Sequence, residues 1–357
     1  MSDATPTDRA TDIRPGEQLD LERLRPYLER ELGEPMAGLE VKQFPGGHSN
    51  LTYLLRVGAR ELVLRRPPFG SKVKTAHDMT REYRVLDKLS AHRAWAPKPL
   101  LLCEDHEVMG ADFYVMERIA GVIVRRQLPK GVSVDEPTAR RLCETLLDTL
   151  VELHALDYQV IGLGDLGKPE GYVERQVTGW SKRYEASQTD DIPAMPRLSA
   201  WLAANMPTSP APCIIHNDYK FDNVIYDTTA FERIVGVLDW EMATVGDPLM
   251  DLGTMLCYWV EAGDHDGLKN LSFGPTMLPG MYTRRALAER YADETGRPID
   301  DILFYFVFGL FKTAVVLQQI YYRWKQGLTK DPRFGALIVG VQLLAQAGDA
   351  ALERGRL

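Results

Sequence analysis

Apolar residues along this chain recur first at helical spacing, then at alternate positions, then at helical spacing again. Leu19, Leu21, Leu24, Leu28 and Leu32 predict an amphipathic helix over residues 18–32. The preceding residues 1–18 are polar and mixed in charge and are expected to be disordered. From Leu39 the period shortens. Leu39–Pro45, Leu51–Val57 and Glu61–Arg66 read as strands separated by Gly-Gly and Gly-Ala turns. Residues 76–91 return to helical period, with Met79, Tyr83, Leu86 and Leu89 on one face, and Leu100–Cys103 and Asp112–Glu117 read as two more strands. Residues 19–117 therefore form a small β-rich lobe of five strands and one helix. Residues 118–357 are mostly helical, clearest over Pro137–His154 and in a tail from about Arg284. The expected class is α+β, with a small β-rich N-terminal lobe and a large helical C-terminal lobe.

Short apolar runs interrupt the helical part at Cys213–Ile215, Val224–Tyr226 and Ile234–Leu238, and the polar residues between them carry chemistry. His216-Asn217-Asp218 is followed by Asn223 five positions after the Asp, the H-x-D-x-x-x-x-N pattern of a phosphoryl-transfer catalytic loop. Such transfer needs little covalent help and depends on positioning and charge neutralisation. Asp218 suits a general base that accepts the proton of an incoming hydroxyl. Lys220 would face the transferring phosphoryl group and stabilise its charge. Asn223 and Asp239 offer hard oxygen ligands for Mg2+, which keeps water and phosphate in its shell. The strand, loop, strand, turn, strand layout is the context the motif requires.

Three weaker elements precede this loop. The turn around Gly46, Gly47, Ser49 and Asn50 is a candidate phosphate flap, since paired glycines admit a close backbone approach. It is neither G-x-G-x-x-G nor a P-loop, and a plain hairpin turn explains it equally well. The third strand ends in Arg65-Arg66, where a kinase places a Lys that holds phosphates and pairs with a helix Glu. Arg65 is the better placed of the two, and Glu82 on the following helix is its natural partner. Phe113-Tyr114-Val115-Met116 runs into Glu117-Arg118-Ile119, a candidate hinge: the backbone of Glu117 and Ile119 would bind adenine and Met116 would line the pocket.

Composition narrows the classes. The 357 residues are 45% hydrophobic and 26% charged, as in a globular protein. A net charge of −8 argues against nucleic acid as a partner. Cys103, Cys143, Cys213 and Cys257 are widely spaced, so neither a zinc site nor a disulfide framework is indicated. The N-terminal segment has no apolar core of a secretory signal, and the uncharged apolar stretch Ile302–Phe311 is only ten residues long. A cytoplasmic location, no membrane partner and a buried C-terminal helix are expected. Tyr258-Trp259, Tyr321-Tyr322 and Arg323-Trp324 are candidate acceptor-site residues. Charges of both signs lie nearby, Glu261, Asp264 and Asp266 against Arg323, Lys325 and Lys330, so the sign of the acceptor stays open.

Taken in order, G-G-H-S-N-L-T-Y, V-L-R-R-P-P, R-E-Y-R-V-L, Y-V-M-E-R, L-H-A-L-D, H-N-D-Y-K-F-D-N and L-D-W-E-M-A-T-V-G-D-P-L-M-D-L resemble the aminoglycoside phosphotransferase/choline kinase superfamily. Within it the chain looks most like the kinase-like domains associated with acyl-CoA dehydrogenases, over residues 38–345. The resemblance implies a protein-kinase-like two-lobed fold, ATP with Mg2+ as donor, and a small-molecule hydroxyl as acceptor, notably that of a 4-hydroxyacyl-CoA ester. His154, which closes a predicted helix and resembles a family signature, is expected to brace the catalytic loop, and Asp247 to cap the helix that follows it. Arg65 departs from the superfamily's usual Lys and puts the details of nucleotide geometry in question. The alternatives are an aminoglycoside or choline-type kinase with a cationic acceptor, and a catalytically silent nucleotide-binding protein. A homodimer is left open.

Overall fold

The computed structural model describes residues 9–45, 50–70, 78–129, 132–228, 230–329 and 331–357. In chain order its elements are α1 (Leu21–Leu32), β1 (Glu40–Gln43), β2 (Leu51–Val57), β3 (Arg60–Arg66), α2 (Met79–Ser90), β4 (Pro99–Cys103), α3 (His106–Met109), β5 (Phe113–Glu117), α4 (Glu136–His154), α5 (Tyr172–Ser187), α6 (Ala194–Ala204), β6 (Cys213–Ile215), β7 (Val224–Tyr226), β8 (Ile234–Val237), β9 (Thr244–Gly246), α7 (Pro248–Tyr258), α8 (Asp266–Asn270), α9 (Arg284–Thr295), α10 (Ile302–Lys325) and α11 (Leu337–Arg354). This is an α+β, protein-kinase-like architecture. The chain divides into one unit of residues 1–123 with 223–242, and a second of 124–222 with 243–357. The β7–β8 hairpin, expected as two strand-like runs, thus belongs with the first unit, although it lies within residues 118–357, which were assigned to the helical lobe. A segment this short groups by its pairing partners rather than by its place in the chain.

The first unit is built on an antiparallel sheet in the order β1-β2-β3-β5-β4. Alternation decides which residues reach its core: Leu51, Tyr53, Leu55, Leu62, Leu64, Phe113 and Val115 pack with Leu24 and Leu28 of α1. Asp20 caps α1 by accepting from the Glu22 and Arg23 amides, and Gly33 closes it in the left-handed conformation that glycine adopts without steric cost. Asp78 caps α2 in the same way. The buried face of α2 is Met79, Glu82, Val85, Leu86 and Leu89. The sequence pattern favoured Tyr83 for this stripe; the structure puts a carboxylate at its centre and leaves Tyr83 half-buried.

In the second unit α10 is the central element, packed on α5, α7 and α11. It is buried almost continuously from Phe304 to Val315. Two helices can approach this closely where α10 crosses α7 because both crossing residues are glycine. A Cβ on Gly253 would collide with the Tyr305 backbone, and one on Gly309 with the Gly253 carbonyl. Among the described residues, two segments are by length and composition apolar enough to cross a membrane. Residues 302–325 have a mean hydropathy of 1.6 with 72% of their most apolar window buried inside the protein, and residues 332–354 have a mean hydropathy of 1.4 with 33% buried. All four cysteines are free and buried, and burial pushes the Cys257 thiol up to about 11.

Candidate active site

In the second unit, β6 delivers the chain into the loop His216–Asp222, and β9 pairs with β6 in antiparallel register. Asn217 has a φ of 66°, left-handed and strained for a residue with a side chain. Three contacts hold it there: its amide donates to Asp251 Oδ1 at 2.7 Å, Tyr172 Oη donates to its Oδ1 at 3.2 Å, and the Lys312 ammonium donates to its carbonyl at 2.6 Å. Asp251, fully buried on α7, also accepts from the His216 amide at 2.6 Å. Behind it His154 Nε2 lies 3.3 Å from Asp251 Oδ2, and His154 Nδ1 lies 2.7 Å from Tyr291 Oη. Burial pushes Asp251 up, but the His154 hydrogen bond and the backbone amide of His216 outweigh it and keep the carboxyl below its ordinary range. Burial pushes His154 down, so it stands as a neutral imidazole. Asp247 caps α7 through the Leu249 amide at 2.8 Å and accepts from Tyr305 Oη at 2.8 Å.

Asp218 therefore sits on a loop whose preceding residue cannot relax. Its carboxylate accepts from Lys220 Nζ at 2.8 and 3.0 Å and from Tyr258 Oη at 2.7 Å. Burial alone would raise this carboxyl; the Lys220 charge and the hydrogen bonds from Lys220 and Tyr258 prevail and hold it below the usual carboxylate range. A group in this state is an ionised acceptor across neutral pH, as a general base must be. Removing the phenol in Tyr258→Phe takes away one donor to the carboxylate form. The acid limb of the kcat/KM pH profile should then move to higher pH, because Asp218 will protonate earlier as pH falls. A limb that stays in place would remove Tyr258 from this role.

The first unit holds the other sequence-predicted groups. Arg65 on β3 is buried and donates to Asp239 Oδ1 at 2.9 Å, with Glu82 Oε1 of α2 at 3.5 Å. Burial works against its charge, but Glu82, Tyr114 and Asp239 around it leave Arg65 a permanent cation. Glu82 Oε1 also accepts from the Trp240 amide at 3.2 Å, which anchors the chain just after Asp239. Trp240 stacks on Trp95 with centroids 5.9 Å apart. Asp239 itself is left-handed, with a φ of 66°. The Asn223 carbonyl accepts from the Leu238 amide at 2.8 Å, so Asn223 and Asp239 enter one neighbourhood through the β7–β8 hairpin. The Asp239 side chain is 32% exposed and open to an incoming group.

Of the flap residues, Gly46, Gly47 and Ser49 lie outside the described residues. Asn50 is buried, and its Nδ2 donates to Glu241 Oε2 at 2.9 Å. At the candidate hinge, Met116 is buried on β5 opposite Val63. The Glu117 amide already donates to the Lys98 carbonyl at 2.9 Å, so at Glu117 only the carbonyl could serve a ligand. Ile119 is half-buried just beyond β5.

Several functional side chains escaped the sequence reading: Lys312, Tyr172, Glu241 and Tyr114, and the use of Tyr258 to hold Asp218. One signal was available. A cation in the middle of an apolar run, as Lys312 is within the buried stretch of α10, must be matched inside the fold.

A model of the phosphotransferase enzyme family matches residues 40–289. This chain belongs to that family. It is 34% identical over 361 residues to acyl-CoA dehydrogenase family member 11 of Rattus norvegicus, spanning 96% of this chain and 44% of that protein. It is 35% identical over 304 residues to acyl-CoA dehydrogenase family member 10 of Mus musculus, spanning 84% of this chain and 28% of that protein. The phosphotransferase chain thus spans less than half the length of these relatives. Among solved structures, a Ralstonia eutropha protein described as an aminoglycoside phosphotransferase superposes with a TM-score of 0.79 at 31% identity, covering 94% of this chain and 99% of that one. The ternary complex of aminoglycoside phosphotransferase APH(4)-Ia with AMP-PNP and hygromycin B has a TM-score of 0.57 at 16% identity, with coverage of 92% and 97%, a likeness of fold.

Proposed function

We propose that this phosphotransferase moves the terminal phosphoryl group of ATP, with Mg2+, onto the hydroxyl of a hydroxyacyl-CoA ester, a 4-hydroxyacyl-CoA in particular. Asp218 takes the proton of the acceptor hydroxyl as its oxygen attacks phosphorus. Lys220, which donates to Asp218 here, would face the transferring group and lower the cost of its charge. Arg65, held between Glu82 and Asp239, would bind the nucleotide phosphates in the place of the usual lysine.

Asn223 and Asp239 fit a magnesium ion by donor chemistry: one amide oxygen and one carboxylate are a hard, sparse set of the kind that leaves room for phosphate and water. When bound, the ion would neutralise developing phosphate charge.

One observation carries the choice of acceptor. Of the acidic candidates for a cationic acceptor, Glu261 and Asp264 are consumed by the buried Arg284, whose guanidinium pairs with both. The basic candidate Arg323 lines an open groove instead. That balance favours an anionic acceptor, and the names of the dehydrogenase relatives point to CoA esters.

The test is Mg2+-dependent transfer from ATP to a panel of 4-hydroxyacyl-CoAs, aminoglycosides and choline. Turnover of the CoA esters supports the proposal. Turnover confined to a cationic acceptor overturns it.

A further inference from the structure

The second unit carries a surface groove of about 340 Å³ lined by Lys182, Arg183 and Ser187 of α5 with Gln319, Tyr322 and Arg323 of α10. No carboxylate is among its described lining residues, and among the described residues no ion pair engages Lys182, Arg183 or Arg323. The remaining basic residue at this end of α10, Lys325, is already paired with Asp190 at 3.2 Å. On a chain with a net charge of −8, three uncompensated cations around one groove are a local reversal of sign. Such a reversal attracts polyanions and raises their local concentration.

The groove is linked to the catalytic loop through packed side chains. The indole of Trp180 on α5 is shared: the Lys312 ammonium lies 6.0 Å from its centroid and the Arg183 guanidinium carbon 4.6 Å from it. Lys312 in turn holds the Asn217 carbonyl, one residue before Asp218. Along α10, Arg323 follows Lys312 by eleven residues, which at the helical rise is about 16 Å. A pantetheine arm, with its dozen or so bonds of peptide-like length, reaches about 15 Å when extended. An acyl hydroxyl presented to Asp218 would bring the phosphates of its CoA to this groove.

We propose that the groove of Lys182, Arg183 and Arg323 binds the phosphorylated nucleotide end of the acceptor, with Tyr322 beside the base. The cations fix the phosphates, and Tyr322 offers a partly exposed ring for stacking. The site distinguishes acceptors by their far end, remote from the reacting hydroxyl. This assignment rests on the CoA-ester reading above.

The experiment compares wild type with an Arg183→Glu/Arg323→Glu variant, both checked for equal thermal unfolding. The kcat/KM ratio of a 4-hydroxyacyl-CoA to the matching 4-hydroxyacyl-pantetheine is measured, together with binding of adenosine 3′,5′-bisphosphate by calorimetry. The ratio should fall by about tenfold or more, since two charge reversals each remove an attraction and add a repulsion. Binding of the bisphosphate should be lost with it. An unchanged ratio with bisphosphate bound equally by both proteins overturns the groove while leaving the CoA-ester acceptor standing. Failure to turn over any CoA ester, with the bisphosphate still bound by wild type alone, overturns the acceptor reading and keeps the groove as a nucleotide-phosphate site. Absence of both turnover and binding overturns the two together.

Discussion

Asp218→Asn should lower kcat by about a thousandfold while Mg·ATP binding is retained, the size expected when a positioned general base loses its basicity. The amide is isosteric, so the Tyr258 hydroxyl can still donate to its oxygen, and the loop stays pinned at Asn217 by groups the substitution does not touch. The effect belongs to chemistry rather than to folding. It is read by steady-state kinetics together with nucleotide affinity, measured by calorimetry in the presence of Mg2+. Loss of nucleotide binding along with turnover would falsify the division of labour between Asp218 as base and Asn223 with Asp239 as metal ligands. A loss below tenfold would move the base elsewhere.

Asp251→Ala is expected to cost about 3–5 kcal/mol of stability, the range for removing one partner from a buried charged network. The substitution removes the acceptor of the His216 and Asn217 amides and the partner of the His154 ring at a buried position. Asn217 then loses one of the three contacts that hold it left-handed, so kcat should fall as well. Urea denaturation gives the first effect and kinetics the second, with Asp251→Asn expected between wild type and Ala because it keeps one acceptor oxygen. The same network sets a pH dependence. His154 is lowered in the folded state, so below the ordinary imidazole value of about 6.5 the unfolded chain binds a proton that the folded chain resists, and stability declines as pH falls. Asp251 is lowered too; its contribution is complete above the ordinary carboxylate value of about 4 and is lost below it. Stability unchanged between pH 7 and 5 would contradict the neutral, buried imidazole.

Much of this protein is legible from residue order alone. The five strands of the first sheet, α2 and α4 announce themselves because their periods of two and 3.6 are imposed by backbone geometry. The catalytic loop is legible because phosphoryl transfer demands a base and metal ligands at fixed short intervals, and short intervals survive in the chain as a motif. Arg65 and Glu82 could be paired because a kinase places a phosphate-holding cation at the end of this strand and pairs it with a Glu on the helix that follows.

Long-range partners left no such trace. Asp218 meets Tyr258 forty residues later, and Asn217 meets Lys312 ninety-five residues later. The pattern placed Tyr83 on the inner face of α2 because it counts hydrophobicity, whereas Glu82 is buried for its charge. The acceptor's sign was undecidable in sequence for the same reason: acidic and basic candidates were equally present as letters. In the fold Glu261 and Asp264 pair with Arg284 while Arg323 lines an open groove, and the proposed anionic acceptor rests on that difference. Sequence by itself determined the local elements and the chemistry of the loop, because those depend on neighbours along the chain. Only folding decided which charges are neutralised and which remain to meet a substrate, because that depends on neighbours in space.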